Sequence, residues 1–240
     1  MDYDITDYDI TDYDRIPNLE DTLEFEENPD QRTPCVLLLD TSSSMSGDPI
    51  AELNQGLQVF KQALMEDPLA RRRVEVAILT FGGEVRLVQD FVTAEQFTPP
   101  TLSAQGGTPM GAAIERALDR VAMRKTVLAE AGVPKTLPWI FLITDGAPTD
   151  DWRRAAERVH HSNANKDVAF FGVGVQGADM RTLGQITGPD RVPLKLAGLQ
   201  FRELFTWMSA SLRLASCSAP GAQVALPPPD GWAQGWGQVG

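Results

Sequence analysis

The sequence lacks the features of exported, membrane-spanning and disulfide-stabilised proteins. Only two of its 240 residues are cysteines, Cys35 and Cys217, and their wide separation fits no metal-ligand or redox motif. No apolar run approaches the roughly 20 residues that a membrane-spanning helix needs. The amino terminus is acidic and polar, where a signal peptide has a positive region and then an apolar one. We therefore expect a soluble protein of a reducing cytoplasm, with no membrane partner.

Basic residues are also too few to favour nucleic acid as a partner. The chain has 33 acidic and 21 basic residues, which gives a formal net charge of −12. Residues 1–30 contain twelve of the acids and one base, Arg15, so the remainder holds 21 acids and 20 bases and is almost neutral. General binding to nucleic acid needs a surplus of positive charge that neutralises phosphates. The composition therefore predicts no nucleic-acid partner and places the acidity in an amino-terminal arm.

This arm opens with a short tandem repeat. The pentapeptide Asp-Tyr-Asp-Ile-Thr occurs twice and is followed by Asp-Tyr-Asp. A repeat this short builds no solenoid, and its charge density opposes a packed core. We predict that residues 1–31 form a disordered acidic arm. A solvated tail is the simplest interpretation of the arm; the alternative is that its carboxylates fill an open metal position in the same chain.

Alternating strand and helix patterns begin at Cys35. Continuous apolar runs predict buried strands, and apolar residues three and four positions apart predict amphipathic helices. Gly82 and Gly83 join two of the strands, which predicts a hairpin. The predicted strands are 35–39, 74–81, 85–91, 139–144, 168–175 and 192–196, and the predicted helices are 50–64, 109–123, 150–161, 180–186 and 201–214. This order predicts an α/β fold, a doubly wound, mostly parallel sheet with one antiparallel edge strand and helices on both faces.

The pattern of strands and helices ends near residue 215. Residues 216–240 are rich in proline and glycine and include Trp232 and Trp236. Three consecutive prolines, 227–229, favour an extended polyproline segment. We predict a folded domain over residues 32–215 and a tail over 216–240, which either lies along the domain or serves as a partner's ligand.

Three polar clusters lie at or near the ends of predicted strands. They are Asp40-Thr41-Ser42-Ser43-Ser44, Gly106-Gly107-Thr108-Pro109 and Thr144-Asp145-Gly146. Parallel sheets bind ligands outside the carboxyl ends of their strands, at the point where the strand order reverses. Two carboxylates and three hydroxyls offer only oxygen, which suits Mg²⁺ or Mn²⁺. We predict an extended loop after the first strand, in which Asp40, Ser42 and Ser44 converge on one ion.

Asp40-x-Ser42-x-Ser44, Thr108 and Asp145 resemble, in this order, the metal-ion-dependent adhesion site of von Willebrand factor type A domains. The resemblance covers roughly residues 34–214. It implies that Ser42 and Ser44 bind one Mg²⁺ or Mn²⁺ ion directly, and that Asp40, Thr108 and Asp145 bind it directly or through water. It further implies a protein-interaction module whose partner donates an Asp or Glu to the metal.

Other segments resemble a bacterial, cytoplasmic branch of this family that is associated with tellurium resistance and stress responses. They include Thr80-Phe81-Gly82, Gly107-Thr108-Pro109-Met110-Gly111 and Thr144-Asp145-Gly146-Ala147-Pro148-Thr149-Asp150. The resemblance to this branch implies that the protein works beside a Ser/Thr kinase and a metal-dependent protein phosphatase. The acidic repeat arm is not part of the pattern of this branch.

The enzymatic alternative is a metal-dependent phosphohydrolase with Asp40 as its nucleophile. Phosphatases that use aspartate usually place a second aspartate two residues later, where this chain has Ser42. No histidine or lysine occurs in the three polar clusters to act as a general base or to hold a phosphate. We therefore predict a binding module without a catalytic residue.

Other polar residues have simpler interpretations. Asp150 is predicted to cap the helix that begins there. The adjacent His160 and His161 point in different directions on a helix, unlike a zinc-binding pair. Arg71-Arg72-Arg73 is predicted to be a solvated patch, and the alternative is a docking site for an acidic partner or for the chain's own arm.

Overall fold

The computed structural model describes residues 25–189, 191–222, 224–229 and 231–234. Strands and helices alternate along the chain. The strands are β1 (Thr33–Asp40), β2 (Val74–Gly82), β3 (Glu84–Thr93), β4 (Trp139–Thr144), β5 (Ala169–Gly174), β6 (Leu194–Leu196) and β7 (Ala233–Gln234). The helices are α1 (Asp48–Met65), α2 (Ala70–Arg73), α3 (Met110–Glu130), α4 (Arg153–Ala164), α5 (Met180–Thr187) and α6 (Phe201–Cys217), and a 3₁₀ turn covers Ser43–Met45.

The strands form one sheet in the order β3-β2-β1-β4-β5-β6-β7. The five central strands are parallel, and β3 pairs antiparallel with β2 as the glycine turn predicts. The chain runs outward from β1 through β2 to β3 and then returns to the other side of β1 with β4. The strand order therefore reverses between β1 and β4, where such sheets bind ligands. The predicted fold class is confirmed.

Two apolar layers cover the two faces of the sheet. Cys35, Leu37 and Leu39 of β1 face the layer that contains α1 and α6, whereas Val36 and Leu38 face α3, α4 and α5. This alternation follows from the period of two along a strand, and it explains why β1 is apolar from Pro34 to Leu39. The sheet is thus held rigidly from both sides, so the ends of its strands are fixed points for side chains.

Two predicted helices and the tail differ most from the observed structure. The helix predicted over 109–123 continues to Glu130, because Val127 and Leu128 extend its apolar face onto Phe25 and Val133. The helix predicted from residue 150 begins only at Arg153. The tail supplies β7, which pairs antiparallel with β6 and adds a second antiparallel edge to the sheet. Beside it, the Trp232 ring lies 5.7 Å from that of Trp207, so this part of the tail lies along the domain.

Residues 1–24 of the predicted arm lie outside the described residues. The part of the arm that is described packs on the domain. Phe25 is buried beside Leu128 and Val133, and its ring lies within 5.5 Å of the guanidinium carbon of Arg32. Asp30 forms ion pairs of 3.6 and 3.7 Å with Arg72 and Arg73. Two members of the arginine triplet therefore hold the end of the arm.

None of the helices within the described ranges is long and apolar enough to cross a membrane.

Candidate functional site

The site is built where β1 and β4 end side by side. These strands are parallel neighbours, with Leu39 opposite Ile143, so the next residues, Asp40 and Thr144, are also adjacent. The Thr144 hydroxyl donates a hydrogen bond of 2.6 Å to Asp40 Oδ2. Asp40 is fully buried, and the end of a buried strand gives its carboxylate a fixed position.

The serines that follow Asp40 turn back towards its carboxylate. The backbone N–H of Ser42 donates to Asp40 Oδ1 at 2.8 Å, and the hydroxyls of Ser42 and Ser44 share a hydrogen bond of 3.0 Å. The prediction of an extended loop here is wrong, because Ser43–Met45 form a 3₁₀ turn. The turn is favoured because Met45 is fully buried in the core and the Ser43 N–H donates to the Gly106 carbonyl. The 3₁₀ turn brings Ser42 and Ser44 to the same side, as predicted.

The other two loops bring Asp145 and Thr108 to the same place. The Ser44 hydroxyl donates to Asp145 Oδ1 at 2.7 Å. A methyl group placed on Gly146 would lie 3.7 Å from Thr108 Oγ1, 3.9 Å from Ser44 Oγ and 4.0 Å from Asp40 Oδ2. Oxygens from Thr108, Ser44 and Asp40 therefore lie within 4.0 Å of one point beside Gly146. Hydrogen bonds link Ser42 and Asp145 to Ser44, so the structure brings all five predicted residues together.

Glycines allow the Thr108 loop to approach the rest of the site. Gly106 has φ +69°, a conformation that favours glycine, and a Cβ on it would lie 2.5 Å from the Cα of Gly83. The Gly83 N–H donates to the Gly107 carbonyl at 2.7 Å, and the Gln105 N–H donates to the Thr41 carbonyl at 2.7 Å. Larger residues at Gly106 would hold Thr108 away from Asp40.

Thr149 and Asp150 join the Asp145 loop to the Thr108 loop. The N–H of Thr108 donates to the Thr149 hydroxyl at 3.1 Å, and the N–H of Thr149 donates to the Thr108 carbonyl at 2.9 Å. Asp150 accepts hydrogen bonds of 2.9 and 2.8 Å from the N–H groups of Gly111 and Ala112. Asp150 therefore caps α3, and the prediction that it caps the helix that follows it in the sequence is wrong.

Thr144, Thr149 and Asp150 position the site and were not predicted to do so. Thr144 is detectable once β1 and β4 are known to be neighbours, because the residues after Leu39 and Ile143 must then meet. Asp150 has no such local signal, since its two donors lie 39 and 38 residues away in the sequence.

The cluster carries negative charge without a basic partner. Asp40 and Asp145 are both buried, and no Lys, Arg or His of the described chain forms an ion pair with either of them. Burial raises the pKa of Asp40 above its ordinary value, hydrogen bonds from Ser42 and Thr144 oppose this rise, and the nearby Asp145 carboxylate adds to it. Two neighbouring buried carboxylates of this kind could take a cation from solution as their counter-charge.

The residues present fit a hard divalent cation. Two carboxylates and three hydroxyls converge, all of them oxygen donors, and no histidine or thiol takes part. Within the described ranges no cluster of three or more His, Cys, Asp or Glu side chains offers a different metal site. The chemistry of the donors therefore favours Mg²⁺ or Mn²⁺ over a softer ion.

The sequence profile described as "von Willebrand factor type A domain" matches residues 35–197. That range runs from β1 to the residue after β6 and contains all three site loops. No curated protein matches the chain significantly.

Solved structures with the same fold include a pilus adhesin, a minor pilin and a mussel byssus protein. The pilus adhesin SpaC from Lactobacillus rhamnosus GG, in an open conformation, has a TM-score of 0.61 at 14% identity, over 77% of this chain and 31% of that one. The PilB minor pilin from Streptococcus sanguinis, a D319A mutant, gives 0.56 at 13% identity, over 79% and 64%. The proximal thread matrix protein 1 from the mussel byssus, "with zinc occupied MIDAS motif", gives 0.54 at 18% identity, over 78% and 49%.

At these identities the likeness concerns the fold alone. This chain spans about half the length of the mussel byssus structures that it matches. What the mussel byssus proteins bind is therefore a property of chains about twice as long as the part that this chain matches.

Proposed function

This chain belongs to the von Willebrand factor type A family, and from that premise we propose that it is a divalent-metal-dependent protein-interaction module. The observation that carries the proposal is the convergence of Asp40, Ser42, Ser44, Thr108 and Asp145 in front of Gly146. We propose these five residues as the ligands of one ion, Mg²⁺ or Mn²⁺. The zinc-occupied motif of the mussel byssus protein supports a divalent ion in this fold.

Each residue has a distinct task in this proposal. Ser42 and Ser44 offer neutral hydroxyls, and Thr108 offers a third from a separate loop, while Asp40 and Asp145 supply the negative charge. Thr144 and the Ser42 N–H orient the Asp40 carboxylate through the two hydrogen bonds described above. When bound, the ion supplies a positive charge that attracts an outside carboxylate. Because Mg²⁺ prefers octahedral coordination, the five side chains leave one position for a partner's Asp or Glu.

The solvent exposure of the site supports binding of a protein partner. Ser44 is exposed and Gly146 is partly exposed, whereas Asp40 beneath them is fully buried. A partner therefore approaches from the side of Ser44 and Gly146, with Asp40 at the back of the site. The adhesive and pilus proteins that share this fold are consistent with such a role.

We also propose a specific cellular context for this module. The segments that resemble the bacterial branch associated with tellurium resistance include residues 80–82, 107–111 and 144–150, and each lies at the carboxyl edge of the sheet near the site. We propose a cytoplasmic protein of a bacterial stress or tellurium-resistance system, with a Ser/Thr kinase and a metal-dependent phosphatase as partners. Direct binding of these two purified partners in Mg²⁺, and its loss with chelator, tests this context.

The main test is metal binding and partner binding by the full chain. Titration calorimetry with Mg²⁺ and with Mn²⁺ is expected to show one site in the unaltered protein. Asp40→Ala and Thr108→Ala are each expected to abolish it and to abolish chelator-sensitive retention of partners, with the circular dichroism spectrum unchanged. Asp151→Ala and Thr206→Ala are matched controls, since both side chains are exposed and lie outside the cluster. Undiminished binding by both Asp40→Ala and Thr108→Ala would reject the proposal.

The phosphohydrolase alternative makes a different prediction. Turnover of a phosphoester in Mg²⁺ that is lost in Asp40→Asn would favour an enzyme. The surroundings of Asp40 do not supply a general base, because its side-chain hydrogen bonds come from the Ser42 N–H and the Thr144 hydroxyl. We therefore place a binding role first.

A further inference from the structure

A cavity of about 660 Å³ opens at the amino ends of β4 and β5, the end of the sheet opposite to the metal-site cluster. Its walls include Trp139 and Phe171, both buried, with ring centroids 5.3 Å apart. The guanidinium carbon of Arg191 lies 4.9 Å from the centroid of the Phe171 ring. The cavity thus combines aromatic surface with cationic groups, a pairing that suits anionic segments with apolar side chains.

Most of the lysines of the chain line this cavity. The chain has five lysines, and three of them, Lys125, Lys135 and Lys166, line the cavity together with Arg191. The one carboxylate in the lining, Asp167, binds Lys125 at 2.7 Å. Lys135 and Lys166 form no ion pair with any residue of the described ranges. A protein with a net charge of −12 therefore has a local excess of positive charge here.

The described chain begins beside one wall of this cavity. Phe25 is buried against Leu128 and Val133, which come just before the wall residues 135–139. The Arg32 N–H then donates to the Pro134 carbonyl at 2.8 Å, and the Thr136 N–H donates to the Arg32 carbonyl at 2.9 Å. Residues 1–24 are therefore attached at Phe25, which packs against Val133, two positions before Lys135 in the sequence. An extended chain of that length reaches up to about 80 Å, well beyond the dimensions of the cavity.

The sequence of residues 1–24 is complementary to this cavity. It contains nine acids and one base, Arg15, and it holds all three tyrosines of the chain. The repeat alternates aspartates with Tyr3, Ile5, Tyr8 and Ile10, so carboxylates and apolar side chains come together in one segment. We propose that the amino-terminal acidic repeat of this chain binds in the basic, aromatic cavity at the amino ends of β4 and β5. The proposal uses only the sequence of residues 1–24, since they lie outside the described residues.

Attachment to the same chain favours this occupant over an external acidic peptide, and charge attraction makes the contact sensitive to salt. Attachment through Phe25 gives the repeat a high effective concentration at the cavity, in the millimolar range for short flexible linkers. Opposite charges attract across a Debye length of about 8 Å at physiological ionic strength, and the attraction weakens in higher salt. The interaction is therefore intramolecular and sensitive to salt.

Zero-length cross-linking of the full chain tests the proposal. A carbodiimide joins a carboxylate to an amine only where the two are in contact. We expect amide links from the aspartates of residues 2–14 to Lys125, Lys135 or Lys166 in the monomeric fraction, at least about fivefold above links to Lys195. Lys195 is the internal control, because it is exposed and lies outside the cavity lining. The excess is expected to fall severalfold in 1 M NaCl, where the Debye length is about 3 Å.

Limited proteolysis gives a second measurement in the same full chain. Arg15 is the only site for trypsin before Arg32, so release of residues 1–15 reports whether the repeat is protected. Lys135→Glu with Lys166→Glu is expected to speed this cleavage about fivefold or more, in proportion to the loss of effective concentration. Lys195→Glu with Arg202→Glu changes the net charge equally at exposed positions outside the cavity lining and is expected to have no effect.

Three outcomes would overturn the proposal. Equal cross-linking to Lys195 would show that the repeat has no preferred site. Links found only in dimers would make the occupant a second copy of the chain. Cleavage at Arg15 that speeds up with chelator or in Asp40→Ala, and not in the cavity variant, would place the repeat at the metal-site cluster.

Discussion

The two ends of the sheet differ in whether their buried charged side chains have partners of opposite charge. At the amino end, the fully buried Glu75 accepts from Arg32 Nε at 3.1 Å and from Arg124 Nε at 2.9 Å, and both arginines are buried. At the carboxyl end, the buried Asp40 and Asp145 lie in one cluster with hydroxyls and have no basic partner among the described residues. The same sheet therefore has one end where buried groups of opposite charge are paired within the chain and one end where buried carboxylates have no such partner among the described residues.

This difference separates a structural role from a binding role. A buried charge that is fully paired contributes to the fold and offers nothing to a ligand. Buried carboxylates that face each other raise the free energy of the folded chain unless a cation joins them, and such perturbed groups mark functional sites. The comparison predicts that removing a charge destabilises the amino end strongly and the carboxyl end very little.

The largest effect is expected for Glu75→Gln. The change leaves two buried guanidinium groups without their carboxylate, which costs about 3–5 kcal/mol for a buried ion pair. Urea unfolding followed by circular dichroism measures it. Glu157→Gln is the matched control, because Glu157 is exposed on α4. A loss below about 1 kcal/mol would contradict the structural role of the amino end.

An intermediate effect is expected for Asp40→Asn, and only when metal is present. In chelator the variant is expected to unfold at the same or a higher urea concentration, because the repulsion from Asp145 is removed. In Mg²⁺ at about 100 times its dissociation constant, the unaltered protein gains about 2.7 kcal/mol and the variant gains nothing. Asp151→Asn, at an exposed position, is expected to respond like the unaltered protein. If Mg²⁺ stabilised Asp40→Asn as much as the unaltered protein, the buried carboxylates at the carboxyl end would have no role in metal binding.

The smallest loss of stability is expected for Asp150→Ala, at the carboxyl end of the sheet. Loss of the acceptor for the N–H groups of Gly111 and Ala112 costs about 1 kcal/mol, as for other helix caps. Because Asp150 also joins the loops of Thr108 and Asp145, the affinity for Mg²⁺ is expected to fall about tenfold. Urea unfolding and metal titration measure the two effects. Unchanged metal affinity would limit Asp150 to capping α3.

Most of the fold could be predicted because its signals are local. The apolar run that ends at Asp40 and the glycine turn at Gly82 and Gly83 were enough to predict β1 and the hairpin of β2 and β3, and both predictions are confirmed. The strand β7 was missed because its two residues have no pattern of their own and are fixed by pairing with β6. The start of α4 was placed three residues too early, because Asp150 looks like its cap and is used by α3.

For the candidate site, the residues could be predicted from the sequence but their geometry could not. Asp40, Ser42 and Ser44 lie within five residues, and Thr108 and Asp145 were predicted from polar clusters at or near the ends of predicted strands. The geometry of the loop was wrong, since the 3₁₀ turn depends on the distant Gly106 carbonyl and on burial of Met45. Similarly, the pairing of Glu75 with Arg32 and Arg124 joins residues 43 and 49 positions apart and leaves no pattern in the sequence.

The sequence by itself determined the strands and helices, the oxygen donors and the acidic repeat, because each depends on neighbouring residues and on chemical type. Only the tertiary structure decided that five oxygen-bearing side chains meet in front of Gly146 and that three lysines gather around Trp139 and Phe171. The physical reason is that the interaction between two charged groups depends on their distance in space and not on their separation in the sequence. The packing of two apolar layers on one sheet sets those distances, and it separates a carboxylate-rich end from a cationic one.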